Sequence, residues 1–352
     1  MNSAPHGGQV YQFAQTQKAS TEETLKTVLD FSASINPIQP KISWPQLTQS
    51  AKIALKHYPD QQQQRLTQTI AQRFHLVPSQ IMLTNGISSA ILNLFSQIQP
   101  DITLLFTPIY SEYQQAAQRY SQTVIESNTL TLKPIQALTP KSVVVLVNPS
   151  TPQGLYRSPE TLASVLKPLK KIGCWVWLDE SFLPFIGFKE TLSVRRQLTH
   201  WPKLMILQSL TKYYACPGVR IGALFAHPDT LHSLIWPSWP ISTLDELFLQ
   251  HALSDPKHDA NTQTFLKTEA PRFIQALKQC KLIENVHKSH ANFVLVKSDV
   301  KAAWLSEKLK LHHILIRDCN SFGLGKNHIR IAIKSKEHNQ KLINALHTLE
   351  NL

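Results

Sequence analysis

The stretch VVVLVNPSTPQGLYRSPETLASVLKPLKKIGCWVWLDESF, residues 143–182, decides the fold class. Val143–Val147 and Cys174–Leu178 are unbroken runs of β-branched, aliphatic and aromatic residues. Strands buried on both faces of a parallel sheet read this way. Pro159–Lys171, between them, reads as a helix. Strand, helix and strand in that order predict a mainly parallel sheet with helices on both faces.

The alternation continues outward. Helices are expected over Trp44–Lys56, Gln61–Phe74, Ser88–Ile98 and Ser111–Tyr120, and strands over Ile81–Thr84, Ile102–Phe106, Leu204–Gln208 and Ile221–Ala226. The last hundred residues read differently. A long helical stretch at about Asn261–Lys281 leads to short strands at Phe293–Lys297, Ile314–Arg317 and Ile329–Ile333, closed by a helix over Lys336–Leu349. Three parts follow: an irregular Pro-, Gln- and Ser-rich arm at 1–45, a large α/β domain at 46–260, and a smaller α+β domain at 261–352. No period of about 20–50 residues repeats, which excludes a solenoid.

The chain has 352 residues, 42% hydrophobic and 17% charged, enough apolar surface for a sizeable core. Its apolar runs are far shorter than the ~20 residues a bilayer requires, so no membrane span is expected. The start, MNSAPHGGQVYQ, has neither a basic nor an apolar signal region, so no secretory signal is expected, and the scattered cysteines fit a reducing cytoplasm. Lys and Arg exceed Asp and Glu by 36 − 23 = 13, but the basic residues are dispersed. That favours a solvated basic surface with an anionic small-molecule site over a nucleic-acid footprint. The four cysteines form no CxxC, and the 15 histidines no HExxH. Neither a disulfide framework nor a metal site is expected. His312-His313 is expected to send its two rings to opposite faces of an extended segment.

Four loops carry chemistry, each with a plainer alternative. Ile81-Met-Leu-Thr-Asn-Gly86-Ile87-Ser88-Ser-Ala90 is a strand, a Gly turn and a helix start. Its free amides would cup a phosphate, while the near match to G-x-S-x-G allows a nucleophile elbow, and an ordinary Ser-capped helix also fits. Ser209-Leu-Thr211-Lys212 follows a strand. It matches S-x-x-K, but neither K-T-G nor S-D-N occurs to support a serine nucleophile. A strand-end Lys can instead form a Schiff base, with Arg220 reaching the same anion, unless both are simply surface loop residues. Leu178-Asp179-Glu180 puts carboxylates just past an apolar strand, where open α/β sheets bind ligands, or where a helix N-cap would sit. Asn148-Pro-Ser-Thr151-Pro-Gln-Gly154 alone says only turn.

Order and spacing unite these loops. TNGISSA (84–90), PIYSEY (108–113), NPSTPQG (148–154), LDESF (178–182), SLTKYYACPGVRIG (209–222) and HIRIAI (328–333) together resemble the fold-type I pyridoxal 5′-phosphate (PLP) enzymes of the class I/II aminotransferase superfamily, over nearly the whole chain. Within it, His6-Gly7-Gly-Gln-Val-Tyr11, Asp30-Phe-Ser-Ala-Ser34-Ile-Asn-Pro37, Phe182 and the pair Arg317 and Arg330 are most similar to the threonine-phosphate decarboxylases of cobalamin biosynthesis.

The resemblance implies a PLP-dependent transferase fold, a homodimer, and a role for each matched residue. Lys212 would bond covalently to the cofactor, and Asp179 would hold its pyridinium proton. Tyr110 would stack on the ring. Gly86, Ile87, Ser88, Ser209, Thr211 and Arg220 would cradle its phosphate, with Tyr58 reaching that phosphate across the dimer. His6, Gly7, Ser34, Arg317 and Arg330 would hold the substrate's phosphate and carboxylate. The implied reaction is loss of CO2 from L-threonine O-3-phosphate, giving aminopropanol phosphate for the cobalamin nucleotide loop. Because PLP weakens the Cα bond perpendicular to its ring, anchoring both anions would choose decarboxylation over transamination. Two positions depart from the family. Thr151 stands where Asn usually hydrogen-bonds the cofactor, and Ser34 where Asn lies near the substrate. The alternatives left open are a phosphoserine decarboxylase, a histidinol-phosphate-type aminotransferase, and a catalytically weakened binding protein.

Overall fold

The chain's strands, in a computed structural model that describes residues 6–131 and 136–350, are β1 (Leu29–Asp30), β2 (Ile81–Thr84), β3 (Ile102–Phe106), β4 (Thr123–Ser127), β5 (Val143–Val147), β6 (Trp175–Asp179), β7 (Leu204–Ser209), β8 (Gly222–Ala226), β9 (Ile283–Val286), β10 (Phe293–Ser298), β11 (Ile314–Leu315), β12 (Arg317–Asp318) and β13 (His328–Ala332). The chain folds as two units. One comprises residues 38–151 and 156–260; the other comprises the N-terminal segment to Pro37, Pro152–Leu155 and Asn261 onward. The first five residues of the expected arm lie outside the described residues.

The larger unit holds a seven-stranded sheet in the order β2-β8-β7-β6-β5-β3-β4. The pairings from β7 through β4 are parallel, and β8 runs antiparallel to both of its neighbours. Every residue of β5 and β7 is buried, as their unbroken apolar runs require. The helix Pro159–Ile172 links β5 to β6. Ser158 caps it by accepting from the Thr161 amide, Pro159 opens it, and Gly173 at φ +75° closes it. Its Leu162, Val165, Leu166 and Leu169 repeat at helical spacing and are buried. The helix Gly86–Ile98 buries Ile87, Ala90, Ile91, Leu94 and Phe95 by the same rule, and the Phe95 ring meets Trp177 of β6 edge-on at 4.7 Å. Each of the Val, Leu, Ile and Phe side chains contributes roughly 1.5–3 kcal/mol when fully buried.

The smaller unit contains an antiparallel sheet in the order β12-β13-β10-β9 and a two-stranded parallel pair, β1 with β11. Phe31 from the N-terminal segment lies fully buried in its core, 6.4 Å from the Phe273 ring.

Three expectations need correction. The arm is not irregular, since Val10–Ala14 and Thr21–Thr27 are helices. A reciprocal capping box between Ser20 and Glu23 starts the second, and the residues S-T-E-E carry that signal. Thr123–Ser127, which falls between the expected elements, forms the edge strand β4, whose half-exposed residues leave no apolar run. His312-His313 is a turn rather than an extended segment, with His313 at φ +57°. No helix among the described residues is long and apolar enough to cross a membrane. All four cysteines are buried and free.

Candidate active site

The register of three strands assembles the first half of the site. Thr84 of β2, Gly222 of β8 and Ser209 of β7 lie in one row across the sheet. The residues just beyond that row therefore converge: Gly86 two past Thr84, Thr211 two past Ser209, and Arg220 two before Gly222. A Cβ on Gly86 would sit 2.7 Å from an Arg220 guanidinium nitrogen, and one on Gly222 would sit 3.0 Å from the Ile87 amide nitrogen. Both glycines keep the backbone close to these groups. Gly86 is also at φ +69°, where a side chain is strained. The helix that begins there has no side-chain cap from Asn85, so its first amides are open to an anion. Ser209 Oγ and Thr211 Oγ1 are 3.1 Å apart, and Ser88 Oγ lies 3.1 Å from the Tyr110 hydroxyl. This donor set of amides, hydroxyls and one guanidinium suits a phosphate.

Asp179 ends β6, next to β7, and is 5% exposed. Its Oδ2 accepts from the Tyr113 hydroxyl at 2.9 Å and its Oδ1 from the Ser181 amide at 2.9 Å. The sequence motifs do not single out Tyr113. Burial, and after it the adjacent Asp179 charge, push its phenol well up, so it stays a donor that orients the carboxylate. Tyr110 is half-buried, and burial raises its phenol too, against the Ser88 bond and the Arg220 charge. Glu180, the neighbouring carboxylate, is fully buried with Ser193 Oγ at 2.8 and 2.9 Å from its two oxygens, and burial lifts it to about 8.

Lys212 is half-buried, with Nζ 5.5 Å from the centre of the Phe182 ring. Phe182 follows Asp179 by three residues, so the Lys and the Asp loops meet at that ring. Thr151 is buried in the turn after β5. Tyr58 is 81% exposed and stacks on Trp239 at 4.7 Å.

PLP fits this set. An apolar ring surface next to Lys212, an oriented carboxylate on Asp179, and a glycine-lined phosphate cup lie at the carboxyl ends of adjacent strands.

The remaining sequence candidates belong to the smaller unit. Arg317 of β12 and Arg330 of β13 are direct cross-strand partners. Arg317 donates to Ser321 Oγ at 2.9 Å and lies over Phe322, while Arg330 donates to the Ser32 carbonyl at 3.0 Å and lies over Phe293. Burial lowers both guanidiniums, Arg330 to about 10, so both remain cations at neutral pH. The same Ser32 carbonyl explains Gly7, because a Cβ there would lie 2.2 Å from its oxygen. The Gly8 amide donates to Ser32 Oγ at 2.8 Å, which ties the His6-Gly7-Gly8 segment to residues 30–34. Asp30 accepts from the amides of Ser32 and Ala33, Lys334 donates to the Ala33 carbonyl at 3.2 Å, and Asn292 donates to the Ser34 carbonyl at 3.0 Å. Ser34 is 4% exposed, and its hydroxyl has no hydrogen-bond partner among the described residues. A buried orphan hydroxyl beside this strap suits a polar ligand group. Nothing local in the sequence marks Lys334 for this site, because its partner Ala33 lies 301 residues away.

Residues 26–346 match the family described as aminotransferase class I and II. A threonine-phosphate decarboxylase of Salmonella typhimurium is 32% identical over 362 residues, covering 98% of this chain and 96% of that one. An adenosylcobalamin biosynthesis bifunctional protein of Leptospira interrogans is 30% identical over 370 residues, covering 98% of this chain and 41% of its own length. Among solved structures, a histidinol-phosphate aminotransferase from Clostridium acetobutylicum superimposes with a TM-score of 0.82 at 27% identity, covering 92% of this chain and 99% of that one. The fold is the PLP-dependent transferase fold type I.

Proposed function

We propose that this chain, which belongs to the aminotransferase class I and II family and takes PLP as its cofactor, decarboxylates L-threonine O-3-phosphate to (R)-1-amino-2-propanol O-2-phosphate and CO2. The observation that carries the reading is the Arg317–Arg330 pair. It is two cations set side by side, with the Lys334 amine, which burial lowers against the pull of Asp30, in the same unit. The excess positive charge suits a ligand with two anionic ends, as a phospho-amino acid has.

When bound, the cofactor supplies an electron sink for the bond broken at Cα. Lys212 would hold the cofactor through Nζ, and Lys212 or water would supply the proton to Cα. Asp179, oriented by Tyr113 and the Ser181 amide, keeps the proton on the ring nitrogen. Gly86, Ile87, Ser88, Ser209, Thr211 and Arg220 hold the cofactor phosphate, Tyr110 covers the ring, and Thr151 offers its hydroxyl where relatives carry Asn. His6, Gly7, Ser34, Arg317 and Arg330 hold the substrate's phosphate and carboxylate. Fixing both ends fixes which Cα bond is labile, and so favours loss of CO2 over loss of the proton. The product is the linker of the cobalamin nucleotide loop, in keeping with the name of the Leptospira relative.

Ser34 favours a second reading. Its side chain is shorter than the Asn of relatives and its hydroxyl is unpartnered, which suits phosphoserine as substrate. The exposed Tyr58–Trp239 stack supports a homodimer in which Tyr58 reaches the partner's cofactor phosphate.

Incubating the holoenzyme with phosphothreonine, phosphoserine and histidinol phosphate, and identifying the amines formed, tests the proposal. Aminopropanol phosphate from phosphothreonine supports it. Phosphoethanolamine as the faster product shifts the substrate to phosphoserine. A keto product that requires 2-oxoglutarate refutes decarboxylation.

A further inference from the structure

The turn that carries Lys212 is poorly held by its own backbone. The amides of Tyr214 and Ala215 reach the carbonyls of Leu210 and Lys212 at 3.4 Å, beyond the usual range for such bonds, and Ala215 sits at φ +53°. The Cys216 amide bond to Thr211, at 2.9 Å, is the short one. The side chains that follow Lys212 add to what holds this turn.

Tyr213 and Tyr214 are both buried. The Tyr213 hydroxyl donates to Asp259 Oδ1 at 2.9 Å, and Asp259 pairs with the Arg73 guanidinium, which lies 4.0 Å over the Phe188 ring. Tyr213 also meets His258, Phe185 and Phe188 edge-on at 5.1–5.3 Å, and Tyr214 stacks on His258 at 5.5 Å. Phe185 in turn stacks on Phe182, the ring beside Lys212 Nζ. One buried cluster thus grips both the backbone next to Lys212 and the ring its amine touches. The polar anchor of that cluster is the phenol–carboxylate bond, since burial keeps the Tyr213 phenol protonated and donating.

We propose that Asp259 is a positioning residue for Lys212, acting through the Tyr213 hydroxyl. Asp259 touches neither cofactor nor substrate in this role. It fixes where the lysine's main chain lies, and so how Nζ is presented.

The test uses the purified holoenzyme below the melting temperature of each variant, with readouts on the cofactor linkage that need no substrate. Tyr213→Phe and Asp259→Ala are each expected to move the pH midpoint of the visible absorption by at least about half a unit. Each is also expected to speed displacement of the cofactor by hydroxylamine about fivefold or more. Asp259→Asn keeps an oxygen acceptor for Tyr213, and its displacement rate should stay within about twofold of the parent. The double variant should go no further than either single, because both changes cut one link. If Asp259→Ala does not fold, Tyr213→Phe and Asp259→Asn carry the test. A parental midpoint and displacement rate in Tyr213→Phe, with or without a lower melting temperature, overturns the proposal, as do effects that add in the double variant.

Discussion

Arg317 and Arg330 stand directly opposite each other across the antiparallel pair β12–β13. Like charges in that relation repel, and burial makes each more costly. Arg317→Met is therefore expected to leave the melting temperature unchanged or raised. The same change should weaken binding of a phosphorylated amino acid by roughly 30- to 1000-fold, the loss of a charge-assisted contact of about 2–4 kcal/mol. Thermal melts and a KM measurement check the two halves. A lower melting temperature with unchanged KM would make the pair structural.

Gly7 lies against the carbonyl that Arg330 uses. Gly7→Ala places a methyl 2.2 Å from the Ser32 oxygen, closer than any relaxed contact. The strap must shift, and the Arg330 bond with it. The expected outcome is a stability loss of about 1–3 kcal/mol and a KM raised about tenfold, with cofactor affinity unchanged. Denaturant melts and a cofactor titration separate these effects.

Gly222→Ala acts on the other site. The added Cβ would meet Ile87 at its side chain and at its amide nitrogen, 3.0 Å away. That amide belongs to the proposed phosphate cup, so cofactor affinity should fall about 10- to 100-fold. An absorbance titration of the apoprotein with PLP reads this directly. Unchanged affinity would remove Ile87 from the cup.

Glu180 makes stability depend on pH. Burial raises its carboxyl from 4.5 to about 8 in the folded chain, against the Ser193 bond and the Arg195 charge. Below 4.5 the group is neutral folded or unfolded. Between there and about 8 the unfolded chain gives up the proton that the folded chain keeps, so stability falls as pH rises. The total is a few kcal/mol, at up to about 1.4 kcal/mol per unit. Glu180→Gln lacks this dependence, so its melting temperature should fall less than the parent's between pH 5 and 8. Parallel curves would mean that Glu180 folds as a carboxylate.

How much can be read from the sequence depends on how local each signal is. Strands β2, β3, β5 and β7 are buried enough to stand out as short apolar runs, whereas edge strand β4 has no fully buried residue and does not. Lys212 and Arg220 sit in turns after or before such runs, Asp179 ends one, and all three are visible in motifs. Tyr113 closes the PIYSEY motif, but its bond to Asp179, 66 residues away, is not legible there, and Asp259, whose partner Tyr213 is 46 residues away, lies in no motif. The arginines of β12 and β13 are each visible, but their pairing is a matter of register, which neither segment records alone. The arm's second helix is legible in its Ser20–Glu23 cap, a signal masked by a surrounding composition that suggests irregular chain.

The most direct measurement follows the carboxyl carbon. Phosphothreonine labelled with 13C at C1 is given to the holoenzyme without any keto acid. The account predicts labelled CO2 in a one-to-one ratio with unlabelled aminopropanol phosphate, abolished in Lys212→Ala. Label retained in a keto acid that forms only when 2-oxoglutarate is added, or labelled CO2 released equally well by Lys212→Ala, would contradict it.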